Sequence, residues 1–244
     1  MTLRLTLSAH GSSHLEIGLV VDDDGHVTGW QTAGWRVGRF ARNLTAAERA
    51  SLAAALEAAG STPPEPAEGQ LAESPPADPP AALRPPSGST EQLVADGLPD
   101  VTFASNATPP PGFDDLIEVL RGVRENIAES PVAAIELDVS ASPLSARLRH
   151  VGTEPVDVRS DDELLIEAVV YDEDYLEVER AAPPVSSGGP NGAVFPGWEL
   201  DLVDRLDLSP PPRGGFVSIS VGSLRVDSLG DGVLRQAEFS WVSE

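Results

Sequence analysis

The sequence predicts an α+β module in the N-terminal half of the chain, followed by an all-β sandwich. Helical patterns occur only in the first half of the 244 residues, where they alternate with short strand patterns. The second half carries only strand patterns, separated by turns rich in Gly, Pro and Asp. We therefore expect the α+β module to cover residues 1–130 and the sandwich to cover residues 131–244.

The chain opens with a pattern typical of a β-hairpin. Leucines alternate with polar residues over 3–7, as on a half-buried strand, and residues 15–21 alternate again. Residues 10–14 between them have the composition of a turn. The acidic turn at 22–25 then leads into a third predicted strand over 27–37.

A first helix is predicted over residues 46–59, which are rich in alanine. Thr45 and Glu48 have the spacing of a capping box, in which each side chain bonds the backbone N–H of the other residue. Gly60 follows the last alanine and suits a C-terminal cap. These signals place both ends of the helix.

The segment 61–90 changes character, because it holds nine prolines and several acids but no aromatic residue. Such a composition buries too little apolar surface to offset the entropy lost on ordering. We expect a disordered, partly polyproline-like insertion within the α+β module.

A second hairpin and a second helix complete the module. Residues 91–95 and 101–103 flank an Asp-Gly turn, which is a hairpin signal. Apolar residues then recur at helical spacing over 113–127. Asp114 and Asp115 lie in the first turn of this helix, where the helix dipole favours negative charge.

From residue 131 onward, the patterns predict strands and turns only. The predicted strands are 134–139, 144–151, 164–171, 176–179, 198–208, 216–221 and 233–242. Strands at this spacing favour a β-sandwich. Because the chain has no cysteine, we describe the sandwich as immunoglobulin-like without the disulfide of antibody domains.

Composition excludes several classes of function. The formal net charge is −23, and every basic residue is arginine. Such a charge repels phosphate backbones and anionic lipid, so we expect neither nucleic-acid nor membrane binding. Without cysteine, thiolate zinc sites and cysteine nucleophiles are impossible. The N-terminus is not typical of a signal peptide, so a cytoplasmic location is expected.

The order of elements over residues 1–127 resembles the emfourin-like family, whose founding role is inhibition of protealysin, a thermolysin-like metalloprotease. Three stretches carry this resemblance: the strand and glycine turn at 3–19, the helix LTAAERASLAAALEAA at 44–59, and the strands of 91–103 followed by the proline-led helix FDDLIEVL at 113–120. The resemblance implies a small α+β fold and a metalloprotease as partner.

Residues 131–244 are loosely similar to the immunoglobulin-like domains of intracellular proteinase inhibitors of bacteria. The strand–turn–strand RLRHVGTEPV at 147–156 and the turn PPPRGGFVS at 210–218 carry this similarity. It implies an inhibitory role for this half as well.

Two segments are candidates for a partner-binding surface. The first is the turn that holds His10, Gly11 and His14. The second is 30–39, where Trp30, Trp35, Arg36 and Arg39 combine tryptophan with arginine, as in protein interfaces. Core packing of either tryptophan is the alternative interpretation.

The predicted function is that of a non-catalytic, intracellular protein-binding module, with proteinase inhibition as its specific form. We assign no catalytic residue, cofactor or metal ligand. Two alternatives stay open: a metal-dependent hydrolase centred on His10 and His14, and a scaffold component of a larger assembly. The acidic turns at 22–25 and 172–174 are interpreted as hairpin tips, with calcium binding as the alternative.

Overall fold

The structure is a computed structural model, and it describes residues 2–9, 15–61, 88–141, 144–182, 189–203, 208–227, 229 and 231–238. These residues are mostly in β-strands, with two helices. The elements of the first 130 residues are β1 (Leu3–Ala9), β2 (Leu15–Val21), β3 (His26–Gln31), β4 (Ala33–Gly34), β5 (Arg36–Asn43), α1 (Ala46–Ser61), β6 (Ser89–Ala95), β7 (Val101–Ala104) and α2 (Asp114–Ile127). Those that follow are β8 (Pro131–Ala141), β9 (Leu144–Gly152), β10 (Val156–Tyr171), β11 (Glu177–Ala181), β12 (Asn191–Val194), β13 (Glu199–Val203), β14 (Phe216–Val226) and β15 (Asp231–Glu238).

The chain divides into two units. The first unit comprises residues 1–30 and 40–130, and the second comprises 31–39 and 131–244. The short segment 31–39 therefore belongs to the same unit as residues that follow position 130 in the chain.

The first unit contains the strand order β7-β6-β1-β2-β3 of one sheet, together with both helices. The strands β1, β2, β6 and β7 pair antiparallel, as the two hairpin patterns predict. The odd-numbered residues of β1 are buried, as expected from the leucine alternation, and Leu5 is fully buried. Helix α2 buries its apolar stripe, which includes Leu116, Ile117 and Leu120.

Helix α2 packs on the face of the sheet that carries the odd-numbered residues of β1. Glu91 of β6 is buried and lies opposite Leu7 in register. Its carboxylate binds Arg121 and Arg124 of α2, with 2.7 Å between Arg124 Nη1 and Glu91 Oε1. A buried carboxylate needs such partners, so this ion cluster joins the helix to the sheet.

The capping box at the start of α1 is confirmed. The backbone N–H of Thr45 donates to Glu48 Oε2 at 2.9 Å, and that of Glu48 donates to Thr45 Oγ1 at 3.2 Å. The same carboxylate binds Arg42 through two hydrogen bonds of 2.7 Å. The hydrogen bonds from Arg42 and Thr45 lower the pKa of Glu48 to about 2.

We expect this capping box to make stability depend on pH between about 4.5 and about 2. The pKa of Glu48 is lower in the folded chain than the ordinary glutamate value of 4.5. Its contribution is therefore present above pH 4.5 and is lost as the pH falls toward 2. Urea unfolding at pH 6 should show wild type more stable than Glu48→Gln by about 1 kcal/mol, because glutamine can still cap the helix but loses the ion pair with Arg42. A difference that stays constant from pH 6 to pH 2 would contradict this assignment.

The second unit has two sheets that share one core. One sheet places β8 between β5 and β9, with β13 beyond β9, and the other runs β11-β10-β14-β15-β4 with β12 also on β10. Ile135 and Leu148 of the first sheet and Ile166 and Ile219 of the second belong to one cluster of buried side chains. Strand β9 pairs antiparallel with β8 and β13, and β10 pairs antiparallel with β11, β12 and β14. Strand β15 pairs antiparallel with β14 and parallel with β4.

The structure corrects three details of the predicted elements. The strand predicted over 27–37 is divided into β3, β4 and the start of β5. Gly34, the last residue of β4, has a φ of +129°. Gly60 lies inside α1 and does not cap it, because the helix continues to Ser61. Asn191 and Gly192, which lie between the predicted strands 176–179 and 198–208, start β12 and pair with β10.

The predicted disordered segment 61–90 lies mostly outside the described residues. At its ends, Ser61 closes α1, whereas Ser89 and Thr90 begin β6. The predicted strand boundaries of the second half differ from the observed ones mainly in length; β10 and β14 each extend further than expected. Trp241, which was expected in the last strand, also lies outside the described residues. Neither helix formed by the described part of the chain has the length and apolarity to cross a membrane.

Candidate protein-binding surface

The sheet of the first unit has a second face, opposite the one that packs on α2. Because side chains alternate along a strand, the even-numbered residues of β1 point to this face. In register, Thr6 lies opposite Gly18 of β2 and Ser8 lies opposite Glu16. We call the surface formed by Arg4, Thr6, Glu16, Gly18 and Trp30 the outer face.

Trp30 is held in one position at the centre of the outer face. Its indole Nε1–H donates to Glu16 Oε1 at 2.7 Å. The Arg4 guanidinium lies 5.1 Å from the ring centroid, within the range of a cation–π contact. Arg4 Nε also donates to Thr6 Oγ1 at 3.3 Å, which links the guanidinium to the sheet.

Glycine at position 18 makes room for this ring. A Cβ atom on Gly18 would lie 2.2 Å from Cζ2 of Trp30, far inside the contact distance. The indole therefore rests directly on the backbone of β2. It stays half-buried in this position, so part of its surface is open to solvent.

Polar and small apolar side chains of β6 extend the outer face beyond β1. Val94 of β6 lies opposite Arg4 in register and is 36% exposed, which is high for an apolar residue. Thr90 and Gln92, on the same strand and the same side as Val94, are exposed. A tryptophan and an arginine with polar residues around them are typical of the hot spots of protein interfaces.

The other predicted tryptophan, Trp35, lies in the second unit and contacts Arg36. The Arg36 guanidinium is 3.7 Å from the Trp35 ring centroid. It also forms an ion pair with Glu136, whose side chain is only 3% exposed. Arg149 binds the same carboxylate, at 2.6 Å between Nε and Oε1, and this hydrogen bond raises the pKa of Arg149. Arg36 and Trp35 thus belong to a partly buried ion cluster of the second unit.

Arg39 is more exposed but is also engaged. Its Nε donates to Asp227 Oδ2 at 2.8 Å, and its Nη1 lies 3.7 Å from Glu154 Oε2. The other oxygen of Asp227 accepts the backbone N–H of Asp157 at 2.9 Å. Arg39 therefore anchors a turn of the second unit while 44% of its side chain faces solvent.

The remaining predicted site residues, His10, Gly11 and His14, lie outside the described residues. Within the part of the chain that the structure describes, there is no group of three or more His, Asp or Glu side chains that could hold a metal ion. In the acidic turn at 22–25, Asp24 Oδ1 accepts the backbone N–H of His26 at 2.9 Å.

Trp30 stands out in the sequence by its residue type, but the residues that hold it do not. Arg4, Glu16 and Gly18 come from two other strands, and only the pairing register brings them together. A weak signal does exist in the sequence, because Gly18 interrupts the apolar pattern of β2. Glycine inside a strand often marks a site where another group approaches the backbone closely.

Comparison with protein-family models, with curated proteins and with solved structures returned no match.

Proposed function

We propose that the chain is a non-catalytic protein-binding module and that the outer face is its binding surface. The observation that carries this proposal is Trp30, which Glu16, Arg4 and Gly18 hold in place while part of the ring remains open to solvent. An aromatic anchor that is already ordered loses little side-chain entropy on binding, so more of its contact energy contributes to affinity.

Inhibition of a thermolysin-like metalloprotease is the specific form of binding that we propose. Its support is the resemblance of residues 1–127 to the emfourin-like family, which rests on the strand and helix patterns described above. The two helices beside one antiparallel sheet are consistent with the α+β fold that this resemblance implies. A cytoplasmic location belongs to the same proposal.

For the second unit we propose an immunoglobulin-like sandwich. Support comes from the core that its two sheets share, in which the apolar residues of β8 and β9 meet those of β10 and β14. In a β-sandwich, the side chains on the inner faces of two packed sheets form such a common core.

Trp30→Ala is expected to weaken partner binding at least ~10-fold, because truncating an interface tryptophan commonly costs 2 kcal/mol or more. The direct assay is titration of the full chain into thermolysin, with inhibition expected at micromolar concentration. Gln92→Ala is the matched control: it removes an exposed side chain of β6 on the same side of the sheet and should change inhibition less than ~3-fold.

Protease inhibition and protein binding by the outer face are tested separately. Absence of inhibition by the wild type removes the protease-inhibitor form. The binding surface itself is tested by co-purification with wild-type, Trp30→Ala and Gln92→Ala baits. If Trp30→Ala retains every protein that the wild type retains, the outer face is not the binding surface.

A further inference from the structure

A second exposed apolar feature lies in the other unit, at the turn between β10 and β11. We call residues 172–178 the acidic tip. Leu176 and Val178 are 64% and 56% exposed, and Tyr175 is 36% exposed. Val178 is the extra residue of an irregularity in β11, because Glu177 lies opposite Tyr171 and Glu179 lies opposite Val170. Exposed apolar side chains that are neighbours in the chain, unlike single scattered ones, are typical of interaction sites.

Hydrogen bonds from backbone N–H groups to the Asp172 side chain and to backbone carbonyls hold the acidic tip in one conformation. Asp172 Oδ1 accepts the N–H groups of Asp174 at 3.0 Å and of Leu176 at 2.8 Å. The Asp172 N–H donates to the Leu176 carbonyl at 3.0 Å, and the Tyr175 N–H donates to the Asp172 carbonyl at 3.1 Å. Leu176 is therefore presented from a closed turn with four internal hydrogen bonds.

Tyr175 adopts a backbone conformation that is costly for a tyrosine. Its φ is +61°, in the left-handed region that favours glycine. The ring packs on Phe216 with 5.4 Å between centroids, and Phe216 in turn stacks on Tyr171 at 5.0 Å. Phe216 is buried, so this aromatic contact ties the tip to the body of the unit. Strained residues held by packing are concentrated at binding and catalytic sites.

A neighbouring loop supports the tip from behind. A Cβ atom on Gly215 would lie 2.2 Å from the Tyr171 carbonyl oxygen, and one on Gly214 would lie 3.1 Å from Cβ of Glu173. The Ser209 N–H donates to Glu179 Oε2 at 3.0 Å on the strand that leaves the tip. The two loops therefore pack closely enough to limit movement of the acidic tip.

The charged residues within the acidic tip have one sign. Residues 172–177 include four acids and no basic residue. Glu173 and Asp174 are exposed, whereas Glu177 is paired with Arg180, whose Nε lies 2.9 Å from Glu177 Oε1. A surface complementary to this tip would have an apolar pocket for Leu176 and arginine or lysine side chains at its edge.

We propose that the acidic tip is a docking element that inserts Leu176 into an apolar pocket with a basic edge on a protein partner. This inference does not depend on the outer face, because every residue that carries it belongs to the second unit. The preformed turn would lower the entropic cost of binding, as for a rigid inhibitor loop.

The test uses the full chain with a photo-cross-linking residue, p-benzoylphenylalanine, at Val178, and at Asp201 as the exposed control position. A protein cross-linked from position 178 but not from 201 is then purified and titrated with defined variants. Leu176→Ser should weaken binding at least ~10-fold, as expected of a central anchor, whereas the apolar variant Leu176→Met should stay within ~3-fold.

The double variant Glu173→Gln/Asp174→Asn should weaken binding several-fold and reduce its salt dependence. Trp30→Ala should leave this titration unchanged, so failure of the outer face and failure of the acidic tip are distinguishable. Absence of a protein cross-link at position 178, cross-linking only to a second copy of this chain, or equal binding by Leu176→Ser would each overturn the proposal.

Discussion

Glu136→Ala is expected to lower the free energy of unfolding of the second unit by about 3–5 kcal/mol, the usual cost of removing one partner from a buried ion pair. The Glu136 side chain is 3% exposed and binds both Arg36 and Arg149. Its removal leaves the guanidinium of Arg36, which is only 14% exposed, without this carboxylate. Hydrogen exchange of the β8 and β9 amides measures the effect, because these strands form the sheet around Glu136.

Glu199→Ala is the matched control for this ion cluster. Glu199 pairs with Arg147 at 3.2 Å, but its side chain is 54% exposed. An exposed pair of this kind contributes about 0–1 kcal/mol. Equal effects of the two substitutions would show that burial does not determine the strength of the Glu136 cluster. A large effect of Glu136→Ala alone would show that Arg36 has a structural role in the second unit.

Gly38→Ala is expected to destabilise the second unit by about 3 kcal/mol or more, from steric overlap and backbone strain together. The new Cβ would lie 2.3 Å from the Ala133 carbonyl oxygen and 2.5 Å from the Ala134 Cα, and backbone atoms cannot rotate away. The φ of Gly38 is +145°, which an alanine rarely adopts. Urea unfolding monitored by hydrogen exchange in β8 reports the loss.

The opposite sign is expected for the same chemical change at Gly122. This glycine lies inside α2, and a Cβ there would meet nothing within 4 Å. Gly122→Ala should therefore stabilise the first unit by about 0.5–1 kcal/mol, because alanine is the better helix former. If Gly38→Ala stabilises the protein as Gly122→Ala does, the close backbone approach does not determine the effect of substitution at Gly38.

Local patterns in the sequence were sufficient to predict most elements of the fold. The leucines of β1, the capping box of α1 and the apolar stripe of α2 all act between residues that are close in sequence. Such signals depend on the periods of strands and helices, so a single stretch of chain contains them. The candidate surface could be predicted only in part: Trp30 stood out by its residue type, but Glu16 and Arg4 did not.

The sequence by itself therefore determined which stretches form strands or helices and that the chain is strongly acidic. Only the tertiary structure decided that segment 31–39 packs with residues after 130, and that Gly18 lies under Trp30. The physical reason is that strand register and long-range packing depend on the fit between distant side chains. Each of those side chains is compatible with several partners until the whole core is assembled.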